Sequence, residues 1–236
     1  MYKHILLSTL KIKGGVKVER AQRRIPDGGL REDFEIQKDR VVRIESQDLE
    51  WRRFNSKDLR FTIMKNPQSR KITLSGARIE GDLIIDGLND SLKEINIVDC
   101  EISGRVAIYN LKVRKITISG NASSVEVVNS EVRDLHICGE VDDEISLFNV
   151  GMKDSHIEIN GSSRIVRLKN LHANELKFKV FKCALINGRE LFVDTFFLPT
   201  DREVSLQRVN VKTLYFLRNG NSLGMAYSLK NAKLQF

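Results

Sequence analysis

The chain has 236 residues and a mass of 27.0 kDa, enough for one large domain or two small ones. It is 41% hydrophobic and 30% charged, so a packed core is expected and disorder over the whole chain is excluded. The longest unbroken apolar runs fall far short of the roughly 20 residues that a membrane helix needs. The amino terminus also lacks the pattern of a secretory signal, so we expect a cytoplasmic protein with no membrane partner.

The first 70 residues are the least regular part of the sequence. Residues 11–18 favour a strand pair around Gly14 and Gly15, and residues 25–29 predict a turn. The repeats described below need a cover at their first coil, because an open end exposes core and unpaired strand edges. We therefore expect residues 1–33 to form an amino-terminal cap.

The repeats extend back to about residue 34. Residues 49–61 align without gaps on residues 204–216, which belong to the repeat region. A helix over residues 46–56, capped by Ser46, is the alternative. The expected division is a cap over 1–33 and a β-solenoid over 34–236.

Two kinds of short strand alternate from residue 72 onward, each with apolar residues at positions i and i+2. The first residues of the A strands are Ile72, Ile95, Ile116, Leu135, Ile157, Leu176, Leu191 and Leu214. Those of the B strands are Leu83, Val106, Val125, Ile145, Val166, Cys183, Val204 and Tyr227.

Both series repeat at a period near 20 residues. Successive A strands are separated by 23, 21, 19, 22, 19, 15 and 23 positions, and B strands by 23, 19, 20, 21, 17, 21 and 23. Two short strands in about 20 residues are typical of a parallel β-helix, and the i, i+2 spacing excludes amphipathic helices. We predict an all-β solenoid of about eight or more coils, a rod roughly 35–40 Å long at a coil spacing of about 4.8 Å.

Asparagine recurs at the corner after each B strand, with Gly87 in the first coil. Asn and Gly tolerate the left-handed backbone of a sharp corner, and stacked Asn side chains hydrogen-bond from coil to coil. This pattern predicts a structural ladder of Asn110, Asn129, Asn149, Asn170, Asn187, Asn210 and Asn231.

Residues 74–88, LSGARIEGDLIIDGL, resemble the coils of bacterial pentapeptide-like and bactofilin-like solenoid proteins in their style of repeat. The resemblance implies a right-handed parallel β-helix that acts through its surface. It carries over no catalytic residues.

Charge is segregated along the sequence. Residues 1–71 hold 18 Lys and Arg against 10 Asp and Glu, residues 72–159 hold 8 against 16, and residues 160–236 hold 13 against 5. Because each coil contacts only its neighbours, the rod should be basic, acidic and basic in turn. Such a field favours an acidic partner at the ends, or self-association of a basic end with the acidic middle, although solvated outer faces alone also explain it.

The densest acidic cluster is Glu140, Asp142, Asp143 and Glu144, at a corner between an A and a B strand. Carboxylates so placed bind calcium or serve acid-base catalysis in some β-helices, but a solvated acidic edge is the favoured interpretation. A second candidate is the outward row of His136, Glu158 and Lys177, for which a salt-bridge ladder is favoured over a proton-transfer cluster.

Other chemistry is sparse in the sequence. Cys100, Cys138 and Cys183 are an odd number at wide spacings, which predicts reduced structural thiols, with Cys183 in a core slot and Cys138 at a corner. Phosphate-loop, nucleophile-elbow and dinucleotide motifs are absent from the sequence. We therefore assign no catalytic, metal or cofactor-binding residue, and no cofactor.

The final repeat runs to the chain terminus without a capping helix, which predicts an open carboxyl-terminal coil and an interface there with a protein partner or a second copy. The expected function is that of a non-catalytic scaffold or interaction protein. A nucleic-acid-binding protein using the basic ends and a carbohydrate-active enzyme are the alternatives. The interface candidates are Leu214, Phe216, Tyr227, Leu229, Leu234 and Phe236.

Overall fold

A computed structural model describes the chain over residues 7–12, 16–24, 30–35, 40–44, 49–63, 71–199, 203–218, 221–222 and 227–235. These residues are about 90% strand and contain no helix. The alternative of a helix over residues 46–56 is therefore wrong, since strands occupy 49–52 and 54–56.

Sixteen strands make up the described chain. They are β1 (Leu7–Ile12), β2 (Val16–Arg24), β3 (Leu30–Glu35), β4 (Arg40–Ile44), β5 (Leu49–Arg52), β6 (Phe54–Ser56), β7 (Leu59–Ile63), β8 (Lys71–Ser75), β9 (Arg78–Ile79), β10 (Leu83–Gly151), β11 (His156–Ser162), β12 (Ile165–Lys182), β13 (Leu185–Pro199), β14 (Glu203–Arg218), β15 (Asn221–Ser222) and β16 (Tyr227–Gln235). The longer strands bend around the corners of successive coils, so that β10 alone passes through several of them.

The strands coil into the predicted β-solenoid. Pairing is parallel from β3 with β6 to β13 with β14, in coils of about 21 residues that make about seven turns. We call each level of the stack a rung. On the A side, from β8 onward, the first inward residues of successive rungs are Ile72, Ile95, Ile116, Leu135, Ile157, Leu176, Phe196 and Leu214.

The core is the column of side chains that alternation points inward. Every residue of that A-side series is at most 1% exposed, and the neighbours two positions on are also buried, except for the half-buried Phe216. The B side repeats this at Leu83, Val106, Val125, Ile145, Val166, Ile186 and Val204. The period-2 pattern therefore predicts the core because each strand buries one face only.

Each coil has a third side that the two-strand description missed. Leu171 pairs with Leu191, which pairs with Val209, and all three are buried. Leu191 therefore belongs to this third side, and Phe196 takes the A position assigned to it. In the same coil, Ile186 takes the B position assigned to Cys183.

The amino-terminal strands pair antiparallel. β1 lies against β2 with Ile12 opposite Val16, which confirms the predicted strand pair around Gly14 and Gly15, and β2 lies against β3. The first parallel pairing joins Phe34 to Phe54. The division between a cap and a solenoid at residue 34 stays a prediction.

The last strand runs in the opposite direction from the one predicted. β16 pairs antiparallel with β14, whereas the repeat pattern places Tyr227 and Leu229 on an ordinary parallel strand. Leu229 and Leu234 are half-buried against the core, while Lys230 and Lys233 are exposed. Because the inward residues of β14 beneath it are buried, β16 covers the end that the sequence suggested would be open.

Candidate functional site

Four of the seven predicted ladder asparagines lie in one column at the corner after the B side. Asn110, Asn129, Asn149 and Asn170 all have φ values between 49° and 55°. The Nδ2 atom of each donates to a side-chain oxygen one rung earlier, at 3.5 Å from Asn129 to Asn110, 2.8 Å from Asn149 to Asn129 and 3.0 Å from Asn170 to Asn149. Asn110 donates to Asp86 at 3.3 Å. The ladder is therefore a structural device that fixes both the corner and the register.

The other three asparagines do not continue this column. Asn187 pairs with Arg167 within the B side, and Asn210 pairs with Phe192 on the third side, so both assignments are wrong. Asn231 has φ 48° but lies in the antiparallel β16, where its backbone N–H donates to Asn210 Oδ1 at 3.0 Å.

Glu190 and Arg208 occupy the ladder corner in the last two coils. Both have a left-handed backbone, with φ values of 60° and 56°. An ion pair of 2.8 Å joins Arg208 Nη1 to Glu190 Oε1. A charge pair thus replaces the amide pair. Because neither residue is asparagine, the asparagine pattern of the sequence does not reveal these two corners.

Glycines form a second column at the corner after the A side. Gly120, Gly139 and Gly161 have φ values of 110°, 146° and 112°. A Cβ on Gly139 would lie 2.0 Å from the carbonyl oxygen of Gly120, and one on Gly161 would lie 2.0 Å from that of Gly139. Only a residue without a side chain lets these backbones stack so closely.

Ion pairs take up much of the acidic corner. Asp143 lies 2.5 Å from Arg164 and Glu144 lies 3.1 Å from Arg167, each on the next coil. Glu140 and Asp142 are exposed. No group of three or more His, Cys, Asp or Glu residues with the geometry of a metal site occurs in the described ranges. Asp143 and Glu144 thus form ion pairs with arginines of the next coil, as expected for a structural acidic edge.

The outward row on the A side follows the predicted order. His136 pairs with Glu158, which pairs with Lys177. The row then continues into two aromatic residues, Phe197 and Tyr215, of which sequence reasoning did not place Phe197 there. Lys177 Nζ lies 5.1 Å from the centroid of the Phe197 ring, and the two rings stack at 4.9 Å with an angle of 12°.

The Phe197 ring has no open face on which a nucleic-acid base could stack. Tyr215, on the next rung, covers one face of the Phe197 ring. Lys177, on the preceding rung, covers the opposite face. A base needs an open ring face for stacking. Phe192 on the third side is 43% exposed, but its ring centroid lies 4.8 Å from that of His172.

The three cysteines differ in burial, and one of them, Cys183, is not where the sequence predicted. Cys100 is 1% exposed, whereas Cys183 is half-buried and lies outside the core slot assigned to it. Burial raises the pKa of the Cys100 thiol. Burial also raises the pKa of the half-buried Cys138, with a further contribution from the Glu158 carboxylate.

A polar network on the outward B side was not predicted from the sequence. The Tyr109 hydroxyl donates to Glu126 Oε2 at 2.5 Å, and Arg105 lies 2.8 Å from Asp82 and 3.8 Å from Glu126. Burial, followed by the hydrogen bond to Glu126, raises the pKa of Tyr109 to about 12. Each of these contacts crosses from one coil to the next, so the network ties three rungs together.

The predicted carboxyl-terminal interface residues have mixed environments. Leu214 is buried, and Phe216, Leu229 and Leu234 pack in part against the core. The side chains of Tyr227 and Phe236 lie outside the described residues. Whether this end of the rod forms an interface stays a prediction.

Comparison with known proteins gives no relative: no family model, no curated protein and no solved structure matches the chain. The fold is that of a repeat-style β-helix, as the resemblance implied, and no particular family is assigned. In the part of the chain that the structure describes, no helix has the length and apolar character needed to cross a membrane.

Proposed function

We propose that the protein is a non-catalytic scaffold or interaction protein of the cytoplasm, which acts through protein partners or by self-assembly. The observation that carries this proposal is the segregation of charge along a stacked rod. Residues 72–159 have a net charge of −8, and residues 160–236 have a net charge of +8. Because sequence position follows position along the axis, these opposite fields lie on neighbouring segments of one rod.

The contacts between coils support a rod that keeps its shape. Salt bridges join successive rungs on several faces, for example Lys71–Glu94 at 3.3 Å, Lys112–Glu131 at 2.8 Å and Lys212–Asp194 at 2.7 Å. Exposed pairs of this kind contribute little stability individually, about 0–1 kcal/mol. Repeated along a stack, they hold outward side chains at regular spacing, which suits a surface that binds another protein.

The partner surfaces under this proposal are the carboxyl-terminal end and the flat sides of the rod. Leu229 and Leu234 are only half-buried by the core, so a partner that packs on β16 would complete their burial. Exposed Lys230 and Lys233 on the same strand favour an acidic partner there.

A pull-down of tagged protein from the cell that produces it, with mass spectrometry, tests the proposal. Recovery of one or a few proteins in stable ratio supports it. Recovery that is lost after nuclease treatment would favour nucleic-acid binding, which predicts affinity that falls steeply with salt. Hydrolysis of a polysaccharide by the purified chain, abolished by Glu140→Gln or Asp142→Asn, would instead favour the enzyme alternative.

A further inference from the structure

One column on the outward B side has a composition that reverses along the rod. In chain order it contains Asp86, Tyr109, Val128, Phe148, Lys169 and Arg189. Phe148 pairs with Lys169, which pairs with Arg189. The register of the earlier members is set by the asparagine ladder, since Tyr109, Val128, Phe148 and Lys169 each directly precede a ladder residue.

The column therefore has an acid at one end, cations at the other, and apolar side chains between. Lys169 and Arg189 are exposed, and Tyr109, Val128 and Phe148 are half-exposed on the outside of the rod. The whole B face, meaning the three outward columns over these six rungs, shows the same reversal. Its first three rungs hold three carboxylates and one guanidinium, and its last three hold one carboxylate and three cations.

We propose that two copies of this chain associate face to face and antiparallel through the B face, around a two-fold axis between the rungs of Val128 and Phe148. The inference rests on the proposed function and names a second copy as the partner. A two-fold axis across the rod places each rung against the rung equally far on the other side of the centre and keeps the columns in line.

Along the column of Asp86 to Arg189, this geometry puts complementary groups opposite one another. Val128 of one copy lies against Phe148 of the other, which buries apolar surface at the centre. Tyr109 faces Lys169, a cation–π contact. Asp86 faces Arg189, and both contacts occur twice because the interface is isologous. Nowhere on these six rungs does a charged side chain directly oppose a like charge.

Registers shifted by half a rung and the parallel arrangement lack this property. Moving the axis by half a rung places Glu126 opposite its own copy in one direction and Glu144 opposite its own copy in the other. Running the rods parallel reverses the order of the columns and places Asp86 against Asp82. Like charges directly opposed cost free energy, so these three arrangements are disfavoured relative to the antiparallel one centred between Val128 and Phe148.

The size of the face predicts a reversible dimer. Six rungs at about 4.8 Å and three outward columns about 6.6 Å apart give an area of roughly 400–500 Å² per copy. The total, about 800–1,000 Å², falls below the range of about 1,200–2,000 Å² of stable complexes. We expect dissociation in the micromolar range.

Sedimentation equilibrium of the full chain from about 1 to 100 micromolar tests the proposal. The mass should rise from that of the 27.0 kDa chain towards twice that value. Val128→Asp and Arg189→Glu should each weaken dimerisation about tenfold or more. Arg133→Glu is the matched control, since Arg133 is exposed on another side of the rod, and it should leave dimerisation unchanged.

Mixing two variants tests the orientation of the copies. Asp86→Arg and Arg189→Glu should each weaken the homodimer, whereas an equimolar mixture should form a heterodimer, because every exchanged charge then meets its opposite. Folding of each variant is checked by its melting curve. Tyr109→Lys with Lys169→Glu, at two positions that face each other, replaces the pair if Asp86→Arg does not fold.

A monomer at 100 micromolar, or a dimer that Val128→Asp and Arg189→Glu leave intact, would overturn the inference. Failure to recover a heterodimer from folded variants would overturn the antiparallel register. None of these results bears on capture of a different protein, which tests the proposed function separately.

Discussion

Replacing Gly139 by alanine tests the close stacking of coils at the corner after the A side. Gly139 has φ 146°, and an added Cβ would lie 2.0 Å from the oxygen and 2.9 Å from the nitrogen of Gly120. Both atoms are backbone, so no flexible side chain can move aside. Gly161 stacks on Gly139 in the same way, which leaves the coil no space on the other side.

The expected loss of stability has two parts. A left-handed backbone costs a residue with a Cβ roughly 1–2 kcal/mol. Relief of the contact needs a shift of more than 1 Å between two paired backbones, which weakens about two hydrogen bonds at roughly 0.5–1.5 kcal/mol each. We expect Gly139→Ala to destabilise the fold by about 2–5 kcal/mol, which lowers the melting temperature by roughly 4–20 °C for a chain of this size.

Gly76→Ala is the matched control. Gly76 has φ 60°, but the nearest atom to an added Cβ is Arg53 Cγ at 3.5 Å, an ordinary contact. Gly76→Ala should therefore lower the stability only by the cost of the left-handed backbone, about 1–2 kcal/mol. Thermal unfolding followed by far-ultraviolet circular dichroism compares the two. Equal losses for Gly76→Ala and Gly139→Ala would refute the steric reasoning.

Three further predictions concern single side chains. Asn149→Val should destabilise the fold by about 1–3 kcal/mol in thermal unfolding, because it removes two ladder hydrogen bonds and strains a left-handed corner, and Asn149→Gly should cost less. Iodoacetamide should modify Cys138 in the native protein and Cys100 only on unfolding, and peptide mass spectrometry that finds equal rates would contradict the burial. Tyr109 should titrate at about 12, so the stability it contributes is present below pH 10 and is lost as pH rises towards 12; Tyr109→Phe should flatten that loss in alkaline unfolding curves.

The period-2 pattern predicts the fold class because each strand buries alternate residues. It cannot assign a pair of apolar residues to one of three sides, since Leu191 and Val193 alternate as an A strand does but lie on the third side. The uneven spacing of the A strands indicates this wrong assignment. Taking Phe196 in place of Leu191 changes the A spacings of 15 and 23 residues to 20 and 18, which agree with the remaining coils.

The outward contacts were less accessible to sequence reasoning. The row of His136, Glu158 and Lys177 follows from register alone, but the cation–π contact with Phe197 depends on the corrected register of the next coil. The reversal of β16 was also hidden, because an alternating strand has the same pattern in either direction.

Distances along one column test the stacked rod most directly. On the third side, a spin label at Lys112 lies four rungs from a label at Phe192. It lies five rungs from a label at Asn210, because Asn210 pairs with Phe192 on the next rung. In chains diluted with unlabelled protein and lacking the native cysteines, pulsed electron resonance should give separations near 19 and 24 Å, one rung of about 4.8 Å apart. A second distance equal to or shorter than the first would contradict the solenoid.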